Sequence, residues 1–456
     1  MINRPRALLP VGAICTMALV ACARKEDPKP AQGLPSSSSA SATSPAAAAS
    51  TDKPATQGNP QASSSAEAGR NALNVVLITI DCLRADMPWA GYPKPIAPRL
   101  TEFASKAVEY THAYSLSSYT SMSVGGFLSG RLPGELKRDG YFFGTYAKEN
   151  LFFPELLQDA KIYTSGAHAH GYFKKSGLEQ GFDSWELVPN LKWNNTTDEN
   201  ITSPELEAIA ERQLSDPRAD SGRFFAWVHF LDPHDKYMTH DGISWGKTQR
   251  DRYDGEITFT DRYVGKLLDF IASRPWASRT AIIITADHGE AFGEHKQYVH
   301  GFELWENLVR VPLLVSLPGA TARKIDTPRS AIDLAPTIVD LFGLTPPDSF
   351  LGKSLVPEVR GTAADPRDIL IDLPATSDND RKRAFIHGNL KVIASGEADL
   401  PQVFDIKEDP GELTPIRGTD ASKEIVALYK ERQKPLQDVP PTKCKEGCLN
   451  GGYRKK

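Results

Sequence analysis

Val75-Val76-Leu77-Ile78-Thr79-Ile80-Asp81 and Ala281-Ile282-Ile283-Ile284-Thr285-Ala286-Asp287-His288 decide how this chain folds. Each is a short, unbroken apolar run that stops at an aspartate. Such runs, rich in β-branched residues and lacking alternation, read as strands covered on both faces, as in a parallel sheet. In open α/β sheets ligands collect beyond the carboxyl ends of the strands, where both aspartates fall. Asp81, Asp287 and His288 brought to that edge would form an oxygen and nitrogen donor set for one divalent metal ion. Ca, Mg, Mn and Zn all remain open from the sequence. An aspartate after a strand also serves as a helix N-cap; capping does not account for His288.

Working outward, further strand-like runs occupy 107–114, 161–167, 224–231 and 311–317, with helical patterns between them. That alternation predicts an α/β fold, a doubly wound and mostly parallel sheet. The clearest helix covers 255–273, where Ile257, Thr260, Val264, Leu267, Leu268 and Ile271 share a face opposite Asp261, Arg262, Lys266 and Asp269. A second helix covers 331–341, starting near Ser330 and stopping at Gly343. After Pro346-Pro347 the runs shorten to 368–371, 384–387, 390–393 and 402–404, with Gly388-Asn389 as a hairpin turn. They predict a small antiparallel subdomain closed by a helix over 421–433. The expected divisions are a catalytic domain at 71–345, the antiparallel subdomain at 346–435 and a tail at 436–456.

The first seventy residues have a different character. Arg4 and Arg6 precede an apolar stretch over 7–20, which ends in Leu19-Val20-Ala21-Cys22. This pattern predicts a secretory signal over 1–21, too short for an ordinary membrane span. The tetrad resembles the lipobox of bacterial lipoproteins, which implies cleavage before Cys22, lipid on Cys22 and attachment to a membrane. By the same resemblance, Ala23 after it points to the outer membrane. Residues 22–70 are dominated by Ser, Ala and Pro and predict a disordered tether, since such a segment buries too little surface to offset its ordering entropy. The net charge of −4 and the lack of a long basic run in the domain exclude nucleic acid as a partner. Cys444 and Cys448 are spaced for a small disulfide in an oxidising compartment.

Between the two aspartates lies Ser117-Ser118-Tyr119-Thr120-Ser121-Met122-Ser123-Val124-Gly125-Gly126-Phe127-Leu128-Ser129-Gly130. A hydroxyl at the start of a helix sits beside unpaired N–H groups and the positive end of the dipole, which suits attack on an anionic ester. Thr120 is that candidate, with capping of the helix as the plainer role. His234, in Asp232-Pro233-His234, suits protonation of a leaving alkoxide, because imidazole titrates near neutrality. Ser123, His229 and His300 are the candidate substrate contacts, although His229 within its strand also reads as a packed, supporting residue. His168 and His170 follow another strand end, and the sequence leaves open whether they line the pocket.

From Asn74 to about Asp409 the chain resembles the sulfatase family of the alkaline phosphatase superfamily. The resemblance is carried by Asn74–Asp86, by Phe225–His234 and by Tyr253-Asp254-Gly255-Glu256-Ile257. It continues through Thr285–Glu290, Gly293-Glu294-His295 and His300-Gly301, and it extends in order to Arg310-Val311-Pro312-Leu313, Asp333–Thr337 and Gly352–Leu355. It implies a metal on Asp81, Asp287, His288 and the Thr120 oxygen, and an anionic group held by His300. The departures matter as much. Members of that family carry a Cys or Ser that becomes formylglycine, within a Cys/Ser-x-Pro-x-Arg motif. Here Thr120, Met122 and Val124 stand at those positions, so no formylglycine is expected. Superfamily relatives that attack phosphodiesters with an unmodified threonine make Thr120 a candidate nucleophile. Cys82 replaces a second acid, and a thiol suits calcium or magnesium poorly.

The sequence thus predicts an exported, lipid-anchored, metal-dependent hydrolase or transferase of sulfate or phosphate esters. Its substrate would be an anionic ester, glycan-borne or lipid-linked. The alternative reading is a non-catalytic protein of the same fold that binds anionic glycans or lipid head groups.

Overall fold

Strand β1 (Asn74–Ile80) is buried along its whole length and lies in the middle of the main sheet. The computed structural model describes residues 73–442, apart from 141, 142, 195, 196, 378 and 397. The signal, Cys22, the tether and the Cys444/Cys448 pair lie outside the described residues. Among the described residues, no helix is long and apolar enough to cross a membrane.

The remaining strands of this sheet are β2 (Val108–Tyr114), β3 (Tyr163–His168), β4 (Ser184–Leu187), β5 (Phe224–Phe230), β6 (Thr280–Thr285), β7 (Arg310–Ser316), β8 (Arg323–Ile325) and β9 (Arg329–Ser330). Their order is β8-β2-β7-β6-β1-β5-β3-β4, with β9 also paired to β2. All pairings are parallel except those of β7, which runs antiparallel to both β2 and β6. Val75 and Leu77 face one layer with Val124, Phe127, Leu128 and Ile338. Val76, Ile78 and Ile80 face the other, with Leu100, Leu206, Ile257, Val264 and Leu267. Helices on both faces explain why β1 shows no polar alternation.

Four helices matter below. Helix α1 (Thr120–Ser129) ends at Gly130, whose φ of 63° is the left-handed conformation that favours glycine. Helix α2 (Gln249–Ser273) starts six residues before the periodic segment, because Thr248 and Asp251 cap it reciprocally and its first turns are polar. Helix α3 (Leu334–Leu341) follows a short 3-10 turn capped by the Ser330 hydroxyl. The second sheet is antiparallel, in the order β10 (Ile369–Leu373), β11 (Lys382–His387), β12 (Leu390–Ser395), β13 (Leu400–Asp405), with α4 (Asp420–Gln433) against it. Gly388-Asn389 links β11 to β12, with Gly388 at φ 58°. Part of the predicted tail binds back: Val439 N donates to Gly134 O at 2.8 Å and Thr442 N to Arg138 O at 2.9 Å.

Candidate metal centre and active site

Register brings the site together. Thr79 pairs with Thr285 on one side and with His229 on the other, and His229 pairs with His168. The carboxyl ends of β6, β1, β5 and β3 therefore lie side by side and present Asp287 and His288, Asp81, His229 and His170 at one edge. All five residues are buried.

Asp81, Asp287 and His288 offer ligand atoms close enough together to hold one ion. His288 Nδ1–H donates to Gly289 O at 3.0 Å, which leaves the Nε2 lone pair turned inward. That nitrogen is 3.6 Å from Asp81 Oδ1 and 3.4 Å from Asp287 Oδ2. Asp287 Oδ2 is itself buried with no hydrogen-bond partner. A buried carboxylate oxygen with no donor, converging with two further acceptors, is costly unless a cation sits among them, so the donor set fits a divalent metal. The electrostatics agree. Burial and then the charge of Asp81 push the Asp287 carboxyl upward. Burial also opposes ionisation of Asp81, but the hydrogen bond from His170 and the neighbouring His229 and His288 imidazoles outweigh it and hold Asp81 well below the usual carboxylate range. Burial pushes His288 down and keeps it a neutral imidazole.

Thr120 is the first residue of α1, and the cap position belongs to Tyr119, which makes no side-chain capping bond. The capping role for Thr120 is therefore not what the fold uses. Its Oγ1 lies 3.0 Å from His288 Nε2 and 3.5 Å from Asp81 Oδ2. Tyr146 holds the helix in place: its hydroxyl donates to Ser121 O at 2.8 Å, and its ring fills the space that a Cβ on Gly125 would need. Val124 is packed into the core with Phe127 and Leu128, and Met122 is buried in a separate cluster with Tyr119.

His234 and His300 border the same group, with ring centroids 5.1 Å apart; His300 is 4.2 Å from the His288 ring and His234 5.9 Å from the His170 ring. His234 Nδ1–H donates to Asp235 O at 2.7 Å, which fixes the ring through that nitrogen. His300 Nδ1 is 3.3 Å from Glu290 Oε1 and 3.4 Å from Cys82 Sγ. The Cys82 thiol donates to Asp81 Oδ1 at 3.0 Å, and burial raises its pKa well above the usual thiol range.

Ser123 is placed differently from the expectation. Its hydroxyl donates to Ser117 O at 2.9 Å and accepts Ser117 N–H at 3.1 Å, tying the loop to the helix with no oxygen directed at an ester. His229 reaches Thr79 Oγ1 with Nδ1 at 2.6 Å and Asp81 Oδ2 with Nε2 at 3.7 Å, so it faces the carboxylate. Two further residues belong to this group, His170, which the sequence leaves open, and Glu290, to which it assigns no role. His170 Nε2 lies 2.5 Å from Asp81 Oδ2, and burial pushes its pKa down to about 3. Glu290 is fully buried and takes the Tyr237 hydroxyl at 3.0 Å as well as His300. Two-residue alternation past the end of β3 is the signal that points to His170. His168, two residues earlier, turns to Trp185, with ring centroids 4.5 Å apart.

Residues 73–344 match the model of the sulfatase family. The chain belongs to the sulfatase family. Residues 293–438 also match the C-terminal model of N-sulphoglucosamine sulphohydrolase. The chain is 30% identical to choline-sulfatase of Rhizobium meliloti over 420 residues, with 75% of this chain and 81% of that protein covered. It is 30% identical over 230 residues to N-acetylglucosamine-6-O-sulfatase of Bacteroides thetaiotaomicron, with 47% of this chain and 40% of that protein covered. Among solved structures, the phosphonate monoester hydrolase of Agrobacterium radiobacter shares the fold, with a TM-score of 0.65 and 16% identity over 79% of this chain and 94% of that one. Thr120, which the sequence resemblance lays on the formylglycine position, starts α1, and Val124, laid by the same resemblance on the arginine position, is packed into the core.

Proposed function

We propose that this chain cleaves or transfers sulfate or phosphate esters with the unmodified hydroxyl of Thr120 as nucleophile. The observation that carries the reading is the position of Thr120 Oγ1 at the start of a helix, 3.0 Å from His288 Nε2. A divalent cation on Asp81, Asp287 and His288 would polarise the ester oxygens and favour ionisation of the hydroxyl.

The first-turn N–H groups of α1 and the positive end of its dipole receive the anionic group, and His300, whose ring lies against that of His288, contacts it as well. Thr120 Oγ1, its proton released to water and regained when the group later leaves it, attacks phosphorus or sulfur in line. As that bond forms, the bond to the leaving oxygen breaks, and His234 Nε2–H protonates the departing alkoxide. His234 then takes a proton from water or an acceptor hydroxyl, which displaces the group from Thr120. Threonine lacks the hemiacetal route that formylglycine gives a sulfate, so the chemistry of this nucleophile favours phosphate. The related choline and N-acetylglucosamine sulfatases support a small or glycan-borne alcohol portion. Export and anchoring through a lipid on Cys22 complete the proposal and would place the enzyme at an envelope surface.

Sulfate monoester, phosphomonoester and phosphodiester reporters, offered to the purified chain loaded in turn with Ca, Mg, Mn and Zn, test the proposal. Metal-dependent turnover of one class is expected. No turnover of any class by a metal-replete, folded protein would contradict it and favour the binding protein.

A further inference from the structure

The two oxygens of Asp81 face two different sets of ligand atoms. Oδ1 lies toward His288 Nε2, at 3.6 Å, within the group that also contains Asp287. Oδ2 lies 2.5 Å from His170 Nε2 and 3.7 Å from His229 Nε2. Asp81, His170 and His229 form a second group whose ligand atoms converge, and all three residues are buried. The two imidazoles stack, with centroids 5.1 Å apart and planes 27° apart, so both Nε2 atoms point at one carboxylate oxygen.

A hydrogen bond from His170 to Asp81 accounts for half of this arrangement. It leaves His229 unexplained. That ring is fully buried, and its Nε2 has no hydrogen-bond partner. The ring is also fixed from behind: Nδ1 meets Thr79 Oγ1 at 2.6 Å, and the same oxygen takes Trp227 Nε1–H at 2.8 Å. Holding a buried polar ring nitrogen unsatisfied is costly. Supporting a ligating imidazole through its other nitrogen is how proteins orient metal ligands.

Charge points the same way. Asp81, Asp287 and Glu290 are three buried carboxylates around a site that must accept an anion. They outweigh one dication and are outweighed by two. Among the described residues, Arg84 is committed to Asp86, Glu294 and the Glu290 carbonyl and does not supply the difference.

We infer that Asp81, His170 and His229 hold a second divalent ion, bridged through Asp81 to the ion on Asp287 and His288. The inference rests on the proposed first metal site. Two imidazoles and one carboxylate select a transition metal such as zinc over calcium or magnesium, and three protein ligands leave a position open to the substrate oxygen.

The test is metal stoichiometry by plasma mass spectrometry on the full chain, stripped with chelator, reloaded with Zn2+ and desalted. Circular dichroism confirms that each variant is folded. Wild type should hold two ions per chain, and His229→Gln, His170→Gln and Asp287→Asn one each. Titration with Co2+ followed by visible absorption should show two steps in wild type and one in each variant. One ion in wild type, lost in Asp287→Asn and kept in His229→Gln, would overturn the second site and leave the proposed function standing. Two ions in wild type that persist in both folded histidine variants would place the second ion elsewhere and also overturn it. No ion in wild type would overturn both readings.

Discussion

Thr120 Oγ1 and His288 Nε2 lie 3.0 Å apart, although 168 positions separate them in the chain. The contact joins the start of a helix to the end of a central strand, and neither element alone would make a site. The sheet register sets His288 beside Asp81, while Tyr146 and the closely packed Gly125 set the helix that carries Thr120.

Because the Asp287 carboxylate is arranged around a charge, metal and stability should be linked. A ligand at 100 times its Kd stabilises a fold by about 2.7 kcal/mol. Chelation of the wild type should therefore lower Tm by several degrees, and Asp287→Asn should reduce that metal-dependent shift. Differential scanning fluorimetry with and without EDTA checks this. An unchanged shift in the variant would remove Asp287 from the ligand set.

The role of His234 predicts a dependence on the leaving group. General acids contribute on the order of 10²–10⁴-fold when the departing alkoxide is basic. His234→Gln should lose that much on an alkyl ester and far less on a nitrophenyl ester, whose leaving group needs no proton. Equal losses on both would show that His234 positions the substrate instead.

Much of the fold and of the site is legible in the amino-acid sequence. The uninterrupted runs ending at Asp81 and Asp287 mark strands buried on both faces, because helices cover both sides of the sheet. Thr120, His234 and His300 stand out by their neighbours in sequence, and the fold brings all three to one edge. Less is legible where the decisive contact is three-dimensional. Ser123 and Thr120 are alike as hydroxyl residues of one segment, yet the Ser123 hydroxyl closes a turn with Ser117. The antiparallel direction of β7 leaves no trace in its apolar pattern. His170 and His168 differ by two positions, yet His170 reaches Asp81 while His168 packs against Trp185.

Lipid attachment makes a separate prediction about place. Cys22→Ala should move the protein from the membrane pellet to the soluble fraction, or leave it with its signal uncleaved. Fractionation followed by intact-mass measurement reads both results. Membrane partitioning unchanged by the substitution would contradict the anchor.

The central claim is that Thr120 itself becomes covalently bonded during turnover. Removing the oxygen, as in Thr120→Ala, should lower kcat on the order of 10³-fold or more while metal content stays near wild type; Thr120→Ser should keep part of the activity. The most direct measurement is peptide mass spectrometry on wild type quenched during turnover of a slow phosphate ester. The account predicts a phosphoryl adduct on Thr120, absent from Thr120→Ala. Full turnover in Thr120→Ala, or an adduct on a different residue, would contradict it.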